Sequence, residues 1–175
     1  IALSRRTVDE FADLGADVTT VNAAPIKHIQ VSDKGAVGLC NLHAGSFRLD
    51  AFGHVIALSA LGPIIGNAIG HAAKRIENTS VESARQEKER VLLNLSNGEA
   101  LAARLVVLAD GGRSTLAESL GFERHAEPYD QVAVICNVTL SEPHHNKAYE
   151  RFTADGPLAF LPFNTDKNDT GNTLD

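Results

Sequence analysis

The chain has 175 residues, 16 Lys plus Arg against 22 Asp plus Glu, a formal net charge of −6, and 43% hydrophobic residues. That balance belongs to an ordinary folded protein and excludes a disordered or fibrous chain, and its length suits one domain or a piece of a larger protein. An acidic chain without Trp and with a single short mixed-charge run, Arg85 to Arg90, excludes a nucleic-acid binder, which needs clustered cations and stacking platforms.

Ser4 to Leu14 places Val8, Phe11 and Ala12 on one stripe, with Thr7 and Glu10 at capping-box spacing and Gly15 as a stop, which predicts a helix. Ile26 to Val31 and Val37 to Leu42 flank Ser32-Asp33-Lys34-Gly35 and predict a hairpin. His54-Val55-Ile56 reads as a short strand. It lies in a stretch from Ala51 to Ala73 that lacks Asp, Glu, Lys and Arg and carries Gly62, Gly66 and Gly70, as a membrane helix would. Leu61, Ile64, Ile65, Ala68, Ile69 and Ala72 nevertheless form one apolar stripe, with Asn67 and His71 on the other side. Pro63 suits the first turn of a shorter helix. The expectation is a soluble helix of about 12 residues packed on a sheet.

Lys74 to Arg90 is polar and predicts a strand and a charged turn. Val91 to Leu95 and the residues from Ala100 onward flank Asn97-Gly98, a strong hairpin signal. The return ends in Leu105-Val106-Val107-Leu108-Ala109, a continuous apolar run that predicts a strand buried on both faces. Thr115 and Glu118 at capping-box spacing, Leu116 with Leu120, and Gly121 predict a short helix. Asp130 to Leu140 reads as a long strand, Tyr149 to Thr153 as its partner and Pro157 to Phe163 as a third. Asn164 to Asp175 reads as a polar loop. Cys40 and Cys136 lie in apolar, strand-like surroundings and are expected to be buried, reduced thiols. The fold class is therefore α/β with α+β mixing.

The chemistry concentrates at Ala109-Asp110-Gly111-Gly112-Arg113-Ser114. A carboxylate ending a buried strand can accept from ribose hydroxyls, and glycines after it let the backbone approach a pyrophosphate. The N-terminus of the next helix would then face the phosphate. The alternative is a plain strand-to-helix turn supplied by Asp-Gly.

An apolar strand followed by Ala-Asp-Gly-x-x-Ser resembles the second fingerprint of the flavin-dependent aromatic hydroxylases related to p-hydroxybenzoate hydroxylase. Tyr149-Glu150-Arg151-Phe152-Thr153, Gly156-Pro157-Leu158-Ala159-Phe160-Leu161-Pro162, Val132 to Val138 and Val31-Ser32-Asp33 are similar to the branch of that family acting in ubiquinone biosynthesis. The chain departs from the pattern at Ala117, where many members carry Arg. It also contains no Gly-x-Gly and no C-terminal Gly-Asp motif. With the absence of Met, this leads to the expectation of an interior fragment of a protein of about 400 residues, inactive alone and unable to hold FAD stably.

The resemblance implies a partial FAD-binding, Rossmann-like domain over residues 1–24 and 48–126, interleaved with a partial β-sheet substrate domain over 25–47 and 127–175. It implies Asp110, Gly111, Gly112 and Ser114 as cofactor-binding residues and Pro157, Leu158, Ala159 and Phe160 as a wall of the substrate pocket. For the parent protein it implies FAD, NAD(P)H as electron donor, O2, and hydroxylation of a polyprenylated phenol through a flavin hydroperoxide. A cytoplasmic protein is expected, peripheral at the inner membrane or in a biosynthetic complex through its greasy substrate. A flavin-dependent polyprenyl reductase and a non-catalytic lipid- or quinone-binding module remain alternatives. No catalytic base and no metal site is assigned. His144-His145 reads as a solvated pair in a turn, His43 and His54 flank the loop before the apolar helix, and Glu150 and Arg151 read as surface residues.

Overall fold

The computed structural model describes residues 1–70, 73–112, 115–123 and 125–164. In chain order the elements are β1 (Ala2–Ser4), α1 (Arg5–Asp13), β2 (Ala24–Ile26), β3 (His28–Asp33), β4 (Leu39–His43), β5 (Gly53–Val55), α2 (Leu58–Ile69), β6 (Val81–Gln86), β7 (Val91–Leu95), β8 (Ala100–Ala103), α3 (Leu116–Ser119), β9 (Lys147–Phe152) and β10 (Leu158–Phe160). The architecture is mixed α/β. The chain divides into two compact units, residues 1–73 with 137–175, and residues 74–136.

The first unit holds two sheets. One has the order β1-β5-β2 and is antiparallel. Helix α1 follows β1 directly because Ser4 acts as its N-cap, its Oγ accepting from the Thr7 N–H at 3.3 Å. The expected Thr7–Glu10 capping box does not form: the helix begins before Thr7, and Glu10 pairs with Arg6 one turn back. At the other end the Gly15 N–H donates to Ala12 O and the Ala16 N–H to Phe11 O, a Schellman closure. Leu3, Val8, Val18, Ile56 and Leu61 form the core beneath α1 and α2, with Phe11, Ile64 and Ile65 packed against it. Burial of Leu61 draws the chain into helix from Leu58, so Pro63 stands in the second turn of α2 and not in its first. At 12 residues α2 has the expected length, and no helix among the described residues is long and apolar enough to cross a membrane.

The second sheet of this unit has the order β10-β9-β3-β4. The predicted hairpin forms as β3 against β4, antiparallel, with His28 opposite His43 and Ser32 opposite Leu39. Strand β9 lies parallel to β3 and antiparallel to β10. The expectation that Tyr149 to Thr153 pairs with Asp130 to Leu140 is therefore corrected. Ala24, Ile26, Val55 and Ala148 form a second core cluster, with Ile29, Phe52 and Phe163 against it.

The second unit carries the antiparallel sheet β6-β7-β8, with Asn97-Gly98 at the β7–β8 turn as expected. Two predicted strands are absent. Leu105 to Ala109 has no regular structure, with Leu105 78% and Val107 75% exposed, and Asp130 to Leu140 is likewise irregular, with Val132 91% exposed. Apolar composition favours a strand only where a neighbour completes its ladder, and no described strand pairs with either segment. Cys40, on the edge strand β4, and Cys136, in the irregular stretch, are both exposed, against the expectation of buried thiols. Thr115 makes no capping bond through its side chain, so α3 is a single turn without the expected capping box.

Candidate functional site

The expected cofactor residues lie in the second unit and the expected pocket wall in the first. Asp110 ends the irregular apolar stretch on an exposed loop, and its Oδ1 accepts from the Gly112 N–H at 2.8 Å, an Asx turn. Gly111 and Gly112 take φ of 68° and 70°. Two successive left-handed residues are accessible at low cost only to glycine, and they leave the backbone without Cβ atoms on the loop. No heavy atom lies within 4 Å of where a Gly111 Cβ would stand. The loop can thus bring main chain close to an anionic group. Arg113 and Ser114 lie outside the described residues. Helix α3 spans four residues, too short for the helix-dipole assistance expected there.

In the first unit, alternation along the four-stranded sheet puts Gln30, Ser32, Tyr149, Arg151, Leu158 and Phe160 on one face. They line, with Glu150, a recess of ≈ 240 Å³. Lys147 Nζ donates to Gln30 Oε1 at 2.7 Å and stands 4.7 Å from the Tyr149 ring centroid. Arg151 Nη1 donates to Ser32 Oγ at 3.2 Å. The Thr153–Gly156 turn, closed by Thr153 Oγ1 donating to Gly156 O at 2.7 Å, returns the chain into β10. Of the four expected wall residues, Leu158 and Phe160 line the recess, Ala159 points to the opposite face and Pro157 precedes the strand. Two aromatic rings, an aliphatic side chain and a guanidinium suit a flat apolar ligand carrying an oxygen substituent. The sequence marks Ser32 as a hairpin-turn residue and does not single out Gln30; only the pairing of β3 with β9 brings both to the recess.

The histidines separate by environment. His54 on β5 has its Nδ1 buried without a hydrogen-bond partner, and desolvation holds its pKa below 6.5, opposed by the Asp17 carboxylate. Asp17 is itself held below the usual carboxylate range by hydrogen bonds from the Thr19 side chain and backbone N–H, at 2.6 and 2.9 Å. His144 accepts at Nδ1 from the Asn146 N–H at 3.0 Å in the turn before β9. His43 faces His28 across the β3–β4 pair.

No family model matches the chain. Its similarity to individual proteins is nonetheless consistent in kind. It is 30% identical over 148 residues, 83% of its length, to ubiquinone hydroxylase UbiL of Rhodospirillum rubrum. It is 28% identical over 122 residues, 68% of its length, to 3-demethoxyubiquinol 3-hydroxylase of Escherichia coli. To the mitochondrial ubiquinone biosynthesis monooxygenase COQ6 of Danio rerio it is 39% identical over 85 residues, 48% of its length and 17% of that protein's. The relatives it matches are named as hydroxylases and monooxygenases of ubiquinone biosynthesis, and the chain is similar to them over as much as 83% of its length. The matches span 34% of the first relative's length and 31% of the second's, about a third of each. Among solved structures, tetracycline destructase Tet(51) overlaps 96% of this chain and 43% of its own, with a TM-score of 0.49 at 15% identity.

Proposed function

We propose that this chain is part of an FAD-dependent monooxygenase that hydroxylates a polyprenylated phenol in ubiquinone biosynthesis, with NAD(P)H as electron donor and O2 as oxidant. The observation that carries the reading is the 148-residue similarity to a ubiquinone hydroxylase, long enough to extend into both compact units. Within the branch, the Glu150-Arg151-Phe152-Thr153 and Gly156 to Pro162 segments favour kinship with 2-octaprenyl-6-methoxyphenol hydroxylase.

Asp110, Gly111, Gly112 and Ser114 would hold FAD. The glycine pair fits such a group, since two successive residues at positive φ put no Cβ between the loop's main chain and a ligand. When bound, FAD supplies the redox chemistry that activates O2. The chain's own residues bind and orient: Leu158, Phe160 and Tyr149 offer apolar surface for a ring and the start of a prenyl chain, and Arg151 offers a donor to a ring oxygen. A substrate part over 25–47 and 127–175 is supported by the one sheet that β3, β4, β9 and β10 share, and the cofactor part over 1–24 and 48–126 draws on both compact units. A peripheral association with the membrane that holds the prenylated substrate accords with this reading.

The test is incubation of the full-length protein with FAD, NAD(P)H, a short-chain prenylphenol and 18O2. A product carrying one 18O atom on the ring is the expected result. Prenyl-chain reduction without oxygen incorporation, or no turnover by a flavin-loaded protein, would reject the assignment.

A further inference from the structure

The His28–His43 pair lies outside the recess and is used by nothing in the proposed reaction. The two residues are direct partners across the antiparallel β3–β4 pair, with Nδ1 atoms 2.7 Å apart and ring centroids 4.9 Å apart at an interplanar angle of 73°. At that separation one Nδ1 carries the proton and the other accepts it, so two imidazole nitrogens converge on one point. His43 is exposed and His28 half-buried. Lys147, opposite His28 on β9, directs its ammonium to Gln30 and the Tyr149 ring, and not to either imidazole.

We propose that His28 and His43 form a two-imidazole chelate for a divalent late transition-metal ion, Zn2+ or Cu2+, on the β3–β4 hairpin. Metal–imidazole bonds of about 2.0–2.1 Å place two nitrogens of one tetrahedral ion roughly 3.3 Å apart, about 0.6 Å beyond the present spacing of 2.7 Å. Rings on adjacent strands reach that separation by a small rotation. The ion takes the place of the shared proton, which moves to the Nε2 of the donating ring, so binding two neutral imidazoles releases no proton. Among the described residues no group of three or more His, Cys, Asp or Glu side chains could hold a metal, so water completes the coordination and the ion exchanges readily.

The experiment is calorimetric titration of the intact chain with Zn2+ and Cu2+ above neutral pH. The comparison variants are H28A, H43A and the double variant H144A/H145A. One equivalent should bind, with affinity reduced at least about tenfold by H28A and by H43A and unchanged by the double variant. No binding, or binding that survives H28A and H43A, overturns the chelate. Should either variant fail to fold by circular dichroism, imidazole 15N spectra of the wild-type chain decide. Zn2+-induced shifts at Nδ1 of both His28 and His43 support the site, and shifts confined to other histidines refute it.

Discussion

Arg151 donates from Nη1 to the hydroxyl of Ser32 at 3.2 Å, joining residues 119 positions apart across the parallel β3–β9 pair. The bond is exposed and so contributes little to folding, below about 1 kcal/mol. Its value in the proposed enzyme is to hold the guanidinium over the recess. Arg151→Ala should leave Tm within a few degrees of wild type while raising KM for the phenol about tenfold. Parallel thermal melts and steady-state kinetics of the full-length protein check this. An unchanged KM would return Arg151 to the surface role read from the sequence.

Leu158 projects into the same recess from β10, a strand with no second described neighbour. Leu158→Gln puts an amide where an apolar ring would rest. Turnover of the prenylphenol should fall by one to two orders of magnitude, with flavin retention nearly unchanged. Equal loss of both would mark Leu158 as a plain folding residue.

Gly111 separates conformational strain from crowding. A Cβ there meets nothing within 4 Å, yet the backbone sits at φ 68°. Gly111→Ala therefore costs about 1–2 kcal/mol through the backbone alone. The loop is exposed, so it should rearrange and leave the fold intact. Flavin absorbance after gel filtration of the holoprotein should drop several-fold with little change in its circular dichroism.

Gly53 poses the opposite case. A Cβ at this position would collide with the Leu3 carbonyl oxygen on the adjacent strand β1. Relief requires β1 and β5 to separate, next to the core formed by Leu3 and Ile56. Gly53→Ala should destabilise the chain by about 1–3 kcal/mol, read from urea denaturation.

His54 links stability to pH. Burial depresses its folded-state pKa below 6.5, so below that value the unfolded chain binds the proton more readily. Its contribution is fully present above pH 6.5 and is lost as pH falls through the depressed folded value. Tm measured across this window should decline more steeply for wild type than for His54→Leu. Identical slopes would refute the linkage.

Much of the local structure was legible without coordinates. The hairpin around Ser32 to Gly35, the Asn97-Gly98 turn, the 12-residue length of α2 and the stops at Gly15 and Gly121 all follow from short-range rules. A cap, a turn or an amphipathic stripe is a relation among residues a few positions apart. The Asp110-Gly111-Gly112 loop belongs with them, because positive φ and an Asx turn are written in the residue types themselves.

Pairing across the chain is another matter. That β9 lies parallel to β3 and brings Arg151 to Ser32 and Tyr149 beside Gln30 depends on a register between segments more than a hundred residues apart. No local pattern encodes that register. The same physics explains Leu105 to Ala109 and Asp130 to Leu140, whose composition suits strands but whose backbone groups find no ladder among the described residues. Composition, charge and turn chemistry by themselves determined a folded, acidic α/β chain with a glycine-rich loop. Which strands meet, and hence which side chains share the recess and which histidines face each other, was decided only by tertiary pairing, because a strand's hydrogen bonds are completed by its neighbour.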